Sequence, residues 1–429
     1  MKKISTIRFP DSITCSNLAD LALILYLASP LSQTFFSMIL GPGAASQTIS
    51  ILLYFIPALI IAVNQPSKYF IADFWILLIV LLAFFGITLM LHPDYKFYYT
   101  RVDYGIWDHI FKPNRGLYAY LFLRLVNDPD RILKDFKISG WFMFAYFGHR
   151  IIQARQRGYW NGVVGDDEHA KLTYSVAFGY EVLVFATVFL YSALKYKSKA
   201  DWIGAGLSTL MILVGGSRGP IIFIGLTGII YILVELKDSK YKWRLLAAIA
   251  ALLILMKLFF VRIITFCSAI MGRFGMSSRF FDKLLADDIT NDSGRDKIWG
   301  AAISMIKEKP LGYGAYGARH RIFYYIAAGY PHNIVLEILI EFGVVFGGLL
   351  LLIMLFGAYK MIFGEHKAVY GTLFIPLFCA SCALLVSLTF WGYRPFWMCL
   401  ALGTICIRNK NKPKKLKGND ILKKGRLSA

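Results

Sequence analysis

The sequence predicts an all-α fold, a polytopic membrane helical bundle of about 12 transmembrane helices with a large helical loop on its outer side. Three observations carry that prediction. Of 429 residues, 57% are hydrophobic and only 17% charged, with a mean hydropathy of +0.56, whereas soluble domains run near a quarter charged. The apolar residues fall in continuous blocks, such as Trp75–Leu91, Leu245–Val261 and Ile334–Phe356, too unbroken for helices with one buried face. The formal charge of +21 gathers at the ends of those blocks, a pattern of membrane topology and not of nucleic-acid binding.

Blocks approaching the roughly 20 apolar residues of a span fall at 17–40, 47–63, 69–91, 113–127, 138–154, 173–194, 201–216, 219–236, 242–261, 333–357, 368–390 and 395–408. Arg124 and Arg150–Arg157 interrupt the fourth and fifth, whose apolar runs are short. Met1–Arg8 is basic, but the first apolar run begins only near Leu21 and no small-residue cleavage site follows, so an uncleaved first span is expected. With twelve spans, Lys68, Lys195–Lys199, Lys237–Arg244, Lys360–Lys367 and the tail Arg408–Arg426 share one side with both termini. The Lys/Arg bias makes that side the cytoplasm. The tail carries nine Lys/Arg against the single acid Asp420 and suits an anionic leaflet. Trp107, Trp160, Trp202, Trp391 and Trp397 lie near block ends, as interfacial belts would.

The organisation expected is a nine-span bundle over 1–261, an outer loop over 262–332, three spans over 333–408 and a basic cytoplasmic tail over 409–429. A structureless loop of that length is unusual, so helices of its own are expected within it. Residues 92–112 form a second, Tyr-rich outer connector. Only Cys267 of the six cysteines falls in an outer loop, so no disulfide framework is implied there, and the C-x-x-C pair Cys379 and Cys382 lies mid-span and reads as packing.

Three short stretches carry candidate chemistry. In Ser293-Gly294-Arg295-Asp296-Lys297-Ile298-Trp299, Ser293 and Asp296 have capping-box spacing, Ile298, Ala302 and Ile306 share one helical face, and Pro310 ends the run. Arg295 then lies in a first turn, where a guanidinium and free backbone N–H groups suit a phosphate. Pairing with Asp292 or Asp296 is the alternative. In Gly215-Gly216-Ser217-Arg218-Gly219-Pro220, a tight outer turn presents Arg218 as a headgroup anchor or as a contact to a ligand phosphate. In Pro331-His332-Asn333, Asn333 is a candidate N-cap, which puts His332 at a helix N-terminus that disfavours imidazolium. A neutral ring is what a general base needs to take a proton from a sugar hydroxyl. A purely interfacial histidine is the alternative. Glu337, one turn further, is placed to orient that imidazole or to make a structural bond, and Glu341 follows inside the same apolar run. Tyr313 and Tyr316, in Leu311-Gly312-Tyr313-Gly314-Ala315-Tyr316-Gly317, offer aromatic platforms for sugars on a mobile wall, or simply form a loop.

These pieces resemble the O-antigen polymerase and O-antigen ligase superfamily. Gly216-Ser217-Arg218-Gly219-Pro220, then Arg295–Trp299 running to Lys309–Gly314, then His332-Asn333 with Leu336-Glu337 and Gly343 carry the likeness, which covers roughly 200–390. The resemblance implies a glycosyltransferase that uses an undecaprenyl-diphosphate-linked oligosaccharide as donor at the periplasmic face of the cell inner membrane, with a glycan acceptor, no metal and no other cofactor. It further implies that Arg218 and Arg295 hold the donor diphosphate and that His332 deprotonates the acceptor, with Ser217, Asn333, Glu337, Tyr313 and Tyr316 lining the substrate. A chain-length regulator and a flippase of the same pathway would be partners, alongside membrane lipids. The ligase-type signature has His-Asn, nine residues, Gly, two residues, then Gly, Thr or Tyr. Gly343 is in place, but Phe346 occupies the last position and Gly347 comes one later, so polymerase is the expected activity and ligase the alternative. A transporter of lipid-linked sugars is a further alternative, but it predicts repeated span groups and midplane charges that the sequence lacks. Asp166-Asp167-Glu168-His169 is the nearest approach to a metal-ligand cluster and reads as a solvated loop.

Overall fold

The computed structural model describes residues 14–69, 71–163, 170–172, 175–217, 219–236 and 294–409, with a few single positions between 243 and 269. Arg218, Ser293, Cys267, the Asp166–His169 cluster, the basic start, the expected span 242–261 and nearly all of the tail lie outside those residues. The described chain is helical apart from an antiparallel hairpin that pairs Asn161–Val163 with Ala170–Leu172.

The principal helices are α1 (Cys15–Leu27), α2 (Ser29–Leu40), α3 (Ala44–Asn64), α4 (Ala72–Leu91), α5 (Gly116–Val126), α6 (Pro129–Arg157), α7 (Val176–Tyr196), α8 (Lys199–Val214), α9 (Gly219–Glu235), α10 (Arg295–Glu308), α11 (Ile334–Phe363), α12 (Lys367–Ser381) and α13 (Arg394–Asn409). Among the described residues, five stretches are long and apolar enough to cross a membrane: α3, α4, α7, α11, and α12 with the short turn that extends it to Leu385. The α1–α2 pair passes the same test as one broken span bent by 68°. Pro30 sits in the first turn of α2, where its missing N–H costs nothing, and so permits the bend.

Several expected spans differ from the observed helices. The fourth shrinks to the 11 residues of α5, whereas the fifth grows to the 29 residues of α6. The tenth is not one straight rod: Gly343 in α11 has φ 78 and ψ 171, which interrupts the helix. Trp391 and Trp397, expected at the lipid interface, are buried at 1% and 3% exposure. Burial satisfies their indole N–H groups: Trp391 donates to Glu341 at 3.0 Å and Trp397 to the Phe390 carbonyl at 2.9 Å. Trp107 and Trp202 remain exposed.

Ion pairs tie the helix ends at one end of the bundle. Asp73 at the start of α4 holds Arg124 at 2.8 Å and Arg408 at 3.0 Å. Glu235 at the end of α9 lies 3.4 Å from Lys195 and 3.6 Å from Lys367, and Arg131 meets Asp20 at 2.7 Å. Lys195 and Lys367, two of the basic residues expected on a common side, share Glu235, and Asn409, next to Arg408, donates to the Tyr370 hydroxyl near the start of α12 at 3.2 Å. The candidate chemistry occupies the opposite end.

Candidate functional site

Helix α10 starts at Arg295 and buries Ile298, Ala302 and Met305 against α11 and the Arg319–Ile322 turn, the face its periodicity predicts. Its N-cap is Gly294, with φ 79 and no side-chain cap, a left-handed conformation that glycine adopts without strain. The indole of Trp299, one turn on, donates to the Pro331 carbonyl at 3.0 Å. That bond fastens the helix carrying Arg295 to the loop carrying His332.

Asn333 caps α11 as its position predicts, with Oδ1 accepting from the N–H groups of Val335 at 2.9 Å and Leu336 at 3.1 Å. Its Nδ2 donates to the Leu385 carbonyl at 3.0 Å. Asn333 thus fixes the α11 terminus, with both ends of its amide engaged by the protein. His332 has φ 54, uncommon for a residue with a Cβ, and its ring meets Tyr330 edge-on at 4.6 Å between centroids. Its Nδ1 is buried with no partner. Burial, and after it the charge of Arg295, holds the imidazole down at about 4, well below the usual 6.5. The ring is therefore neutral at neutral pH, as its place beside a helix N-terminus suggests, but desolvation is the main cause.

Arg218 lies outside the described residues; its neighbours do not. Ser217 is buried against Gly179, and Gly219 leaves no room for a Cβ against the Tyr180 hydroxyl. The Gly215 carbonyl accepts from the Ser175 N–H at 3.0 Å, and Ser175 caps α7 through its bond to the Phe178 N–H. The Gly215–Pro220 turn is thereby docked on the first turns of α7. Arg295 is close enough for its charge to bear on Tyr180 as well as on His332. Arg295 and His332 thus lie within electrostatic reach of each other, and Gly219, next to the third sequence-predicted group, packs on the Tyr180 hydroxyl, which the same charge reaches.

Glu337 does not orient the imidazole. It accepts from the Thr389 hydroxyl at 2.7 Å through Oε1, its Oε2 is buried without a partner, and His332 Nδ1 is likewise free of it. Glu341 serves the Trp391 indole. Tyr316 is fully buried beneath the Arg319 guanidinium, 3.5 Å from ring centroid to Cζ, with φ 62, and offers no face to a sugar. Tyr313 is half-buried below Lys309 Nζ.

The Tyr/Gly loop is pinned. Where Gly343 breaks α11, the Ile340 and Glu341 carbonyls lose their helical partners, and the N–H groups of Tyr313 at 2.8 Å and Gly314 at 3.0 Å replace them. Val344 N–H donates back to the Pro310 carbonyl at 2.7 Å. Gly312 and Gly343 face each other so closely that a Cβ on Gly343 would lie 2.5 Å from the Leu311 carbonyl carbon. The loop repairs the break and holds the end of α10 against α11.

Sequence reasoning passed over several neighbours. Arg319, buried at 2% exposure, bonds His109 Nδ1 at 3.0 Å and the Tyr104 carbonyl, joining the 92–112 connector to the site. Burial and Arg319 together push the His109 ring well below its usual range. Glu181 on α7, a carboxylate inside an apolar run, was the signal most open to detection.

Residues 203–353 match the family model described as O-antigen ligase. The matched stretch begins in α8, passes the Gly215–Pro220 turn, Arg295 and His332, and ends in α11 beyond Gly343, bearing out the likeness to the O-antigen polymerase and ligase superfamily. No curated protein and no solved structure matches the chain.

Proposed function

We propose that this chain, which carries an O-antigen ligase family domain, is a glycosyltransferase joining undecaprenyl-diphosphate-linked repeat units at the periplasmic face of the inner membrane, a surface-polysaccharide polymerase. The observation that carries the reading is a neutral His332, its Nδ1 buried without a partner, within electrostatic reach of Arg295, at the end of the bundle opposite the Lys195, Lys367 and Arg408 ion pairs. By the Lys/Arg bias those pairs mark the cytoplasmic end, so the site faces outward, where no nucleotide sugar is needed.

In the reaction, His332 takes the proton from an acceptor hydroxyl as its oxygen attacks the anomeric carbon of the donor. The bond from that carbon to the diphosphate breaks, and polyprenyl diphosphate leaves with the electron pair. Arg295, with Arg218, neutralises the charge that builds on the leaving oxygen. The low proton affinity of His332 keeps its ring unprotonated at neutral pH, and the Trp299–Pro331 bond ties the helix of Arg295 to the loop that carries His332.

A ligase, which would transfer the finished glycan to lipid A-core, is the second reading, favoured by the description of the matching family. Phe346, the departure from the ligase signature, is 72% exposed. Deleting the gene separates the two. Polymerase loss leaves core bearing a single repeat unit, and ligase loss leaves bare core with chains stranded on the carrier. A normal ladder on the core would overturn both.

A further inference from the structure

A cavity of about 330 Å³, within the range of small-ligand pockets at roughly 300–1,000 Å³, opens between α2, α6, α7, α13 and the connector ahead of α5. Tyr330, which meets the His332 ring edge-on, forms part of its wall, and so does Tyr180, which the charge of Arg295 reaches. Along α7 it extends from Ala177 to Phe185, a depth of about 12 Å at the helical rise. The chemistry proposed above leaves it unassigned.

Several polar groups on its wall keep bonding capacity that the described residues do not use. Arg115 spends its Nε on the Asp108 carbonyl, and Arg394 spends its Nε on the Asn114 carbonyl at 2.8 Å and one Nη on the Ser29 hydroxyl at 3.3 Å. Among the described residues neither is paired with a carboxylate within ion-pair distance. Glu181 is exposed to the cavity and close enough to feel the charge of Arg150 and, after it, those of Arg394 and Arg115, yet it makes no hydrogen bond among the described residues. Asn114 Oδ1 is buried with no partner. The wall thus offers donors and acceptors together, between the aromatic rings of Tyr146 and Tyr180. A lipid chain would strand Asn114 and Glu181 without partners, which is costly, and a diphosphate would meet the Glu181 carboxylate. A sugar satisfies all of them, because its hydroxyls both donate and accept and its C–H faces pack on aromatic rings.

We propose that this cavity is the acceptor subsite, holding a sugar unit of the acceptor glycan so that the attacked hydroxyl emerges past Tyr330 at His332. The proposal rests on the reading of the chain as a glycan transferase and adds where the second substrate sits. The test uses the full chain in lipid nanodiscs and, as probe, the repeat-unit oligosaccharide cut from the cell's own surface polysaccharide, free of lipid and phosphate. Titration calorimetry should show binding by the unaltered protein, and Glu181→Gln should weaken it roughly tenfold while raising the acceptor KM at unchanged kcat. Arg394→Gln should weaken binding too, but Glu181→Gln is the decisive variant, since Glu181, unlike Arg394, makes no hydrogen bond among the described residues. Saturating inorganic pyrophosphate should leave the oligosaccharide bound, and His332→Gln should bind it as the unaltered protein does. Absence of binding, displacement by pyrophosphate, or an affinity unmoved by Glu181→Gln would overturn the subsite. If His332→Gln still transfers glycan, the transferase reading itself fails. If it stops transfer while Glu181→Gln changes neither affinity nor KM, only the subsite fails.

Discussion

The state of the His332 ring offers the sharpest test of the site's electrostatics. A histidine titrating at its usual 6.5 is only about one-tenth neutral at pH 5.5, whereas one held at about 4 is almost wholly neutral there. The difference corresponds to roughly 3 kcal/mol against protonation, most of it from burial and the remainder from Arg295. The profile of kcat/KM against pH, which reports the free enzyme, should therefore stay flat from pH 7.5 down to about pH 5 and fall only near 4. Arg295→Gln removes the smaller cause, so its acid limb should move upward yet stop short of 6.5. The shape of the profile answers the question even where the variant is slow. The assay is transfer by detergent-purified protein with a polyprenyl-diphosphate-linked donor. Two outcomes would refute the reasoning, an acid limb near 6.5 in the unaltered protein or a limb that Arg295→Gln leaves in place. The same ring bears on stability. Between pH 6.5 and 4 the unfolded chain takes up a proton that the folded one refuses, so stability declines as pH falls through that window.

Three further substitutions probe separate joints of the site. Gly343→Ala places a Cβ against the Leu311 backbone at φ 78 and should cost roughly 2 kcal/mol or more, read as a lower melting temperature in detergent; an unchanged melt would show that the break in α11 is dispensable. Trp299→Phe keeps the packing but removes the bond to the Pro331 carbonyl, worth about 1 kcal/mol, and should lower kcat about fivefold at normal protein levels; unaltered kcat would mean the bond does not position Arg295. Glu337→Gln keeps the acceptor for Thr389 and leaves His332 untouched, so its pH profile should superimpose on that of the unaltered protein, and a displaced acid limb would reinstate Glu337 as the partner of the imidazole.

The parts of the fold that were legible in the sequence are those set by local chemistry. Asn333 announced a cap, Pro310 a helix end, and the Ile298–Ala302 spacing a buried face, and each depends on neighbours within a turn or two. Arg295 and His332 were legible as chemical types, and the bond that unites them, Trp299 to Pro331, spans 32 residues and leaves no local trace. Glycine at 343 signalled a special backbone but not that residues 310–314 would supply the missing hydrogen bonds. Glu337 was misread for a related reason. One turn along a helix is near in sequence, yet its carboxylate turns to Thr389 on a different segment. Trp391 was misplaced because an indole near a block end suits an interface and a buried carboxylate equally well, and only Glu341 across the bundle decides between them.

The most direct measurement of the central claim is transfer in a purified system. Protein in nanodiscs is supplied with undecaprenyl-diphosphate-linked repeat units, and elongated glycan and released polyprenyl diphosphate are counted for the unaltered chain and for His332→Gln. The account predicts one polyprenyl diphosphate released for each new glycosidic bond with the unaltered chain, and a fall in both by a factor of about 100 or more in the variant, which folds and inserts normally. Equal turnover by His332→Gln would contradict it.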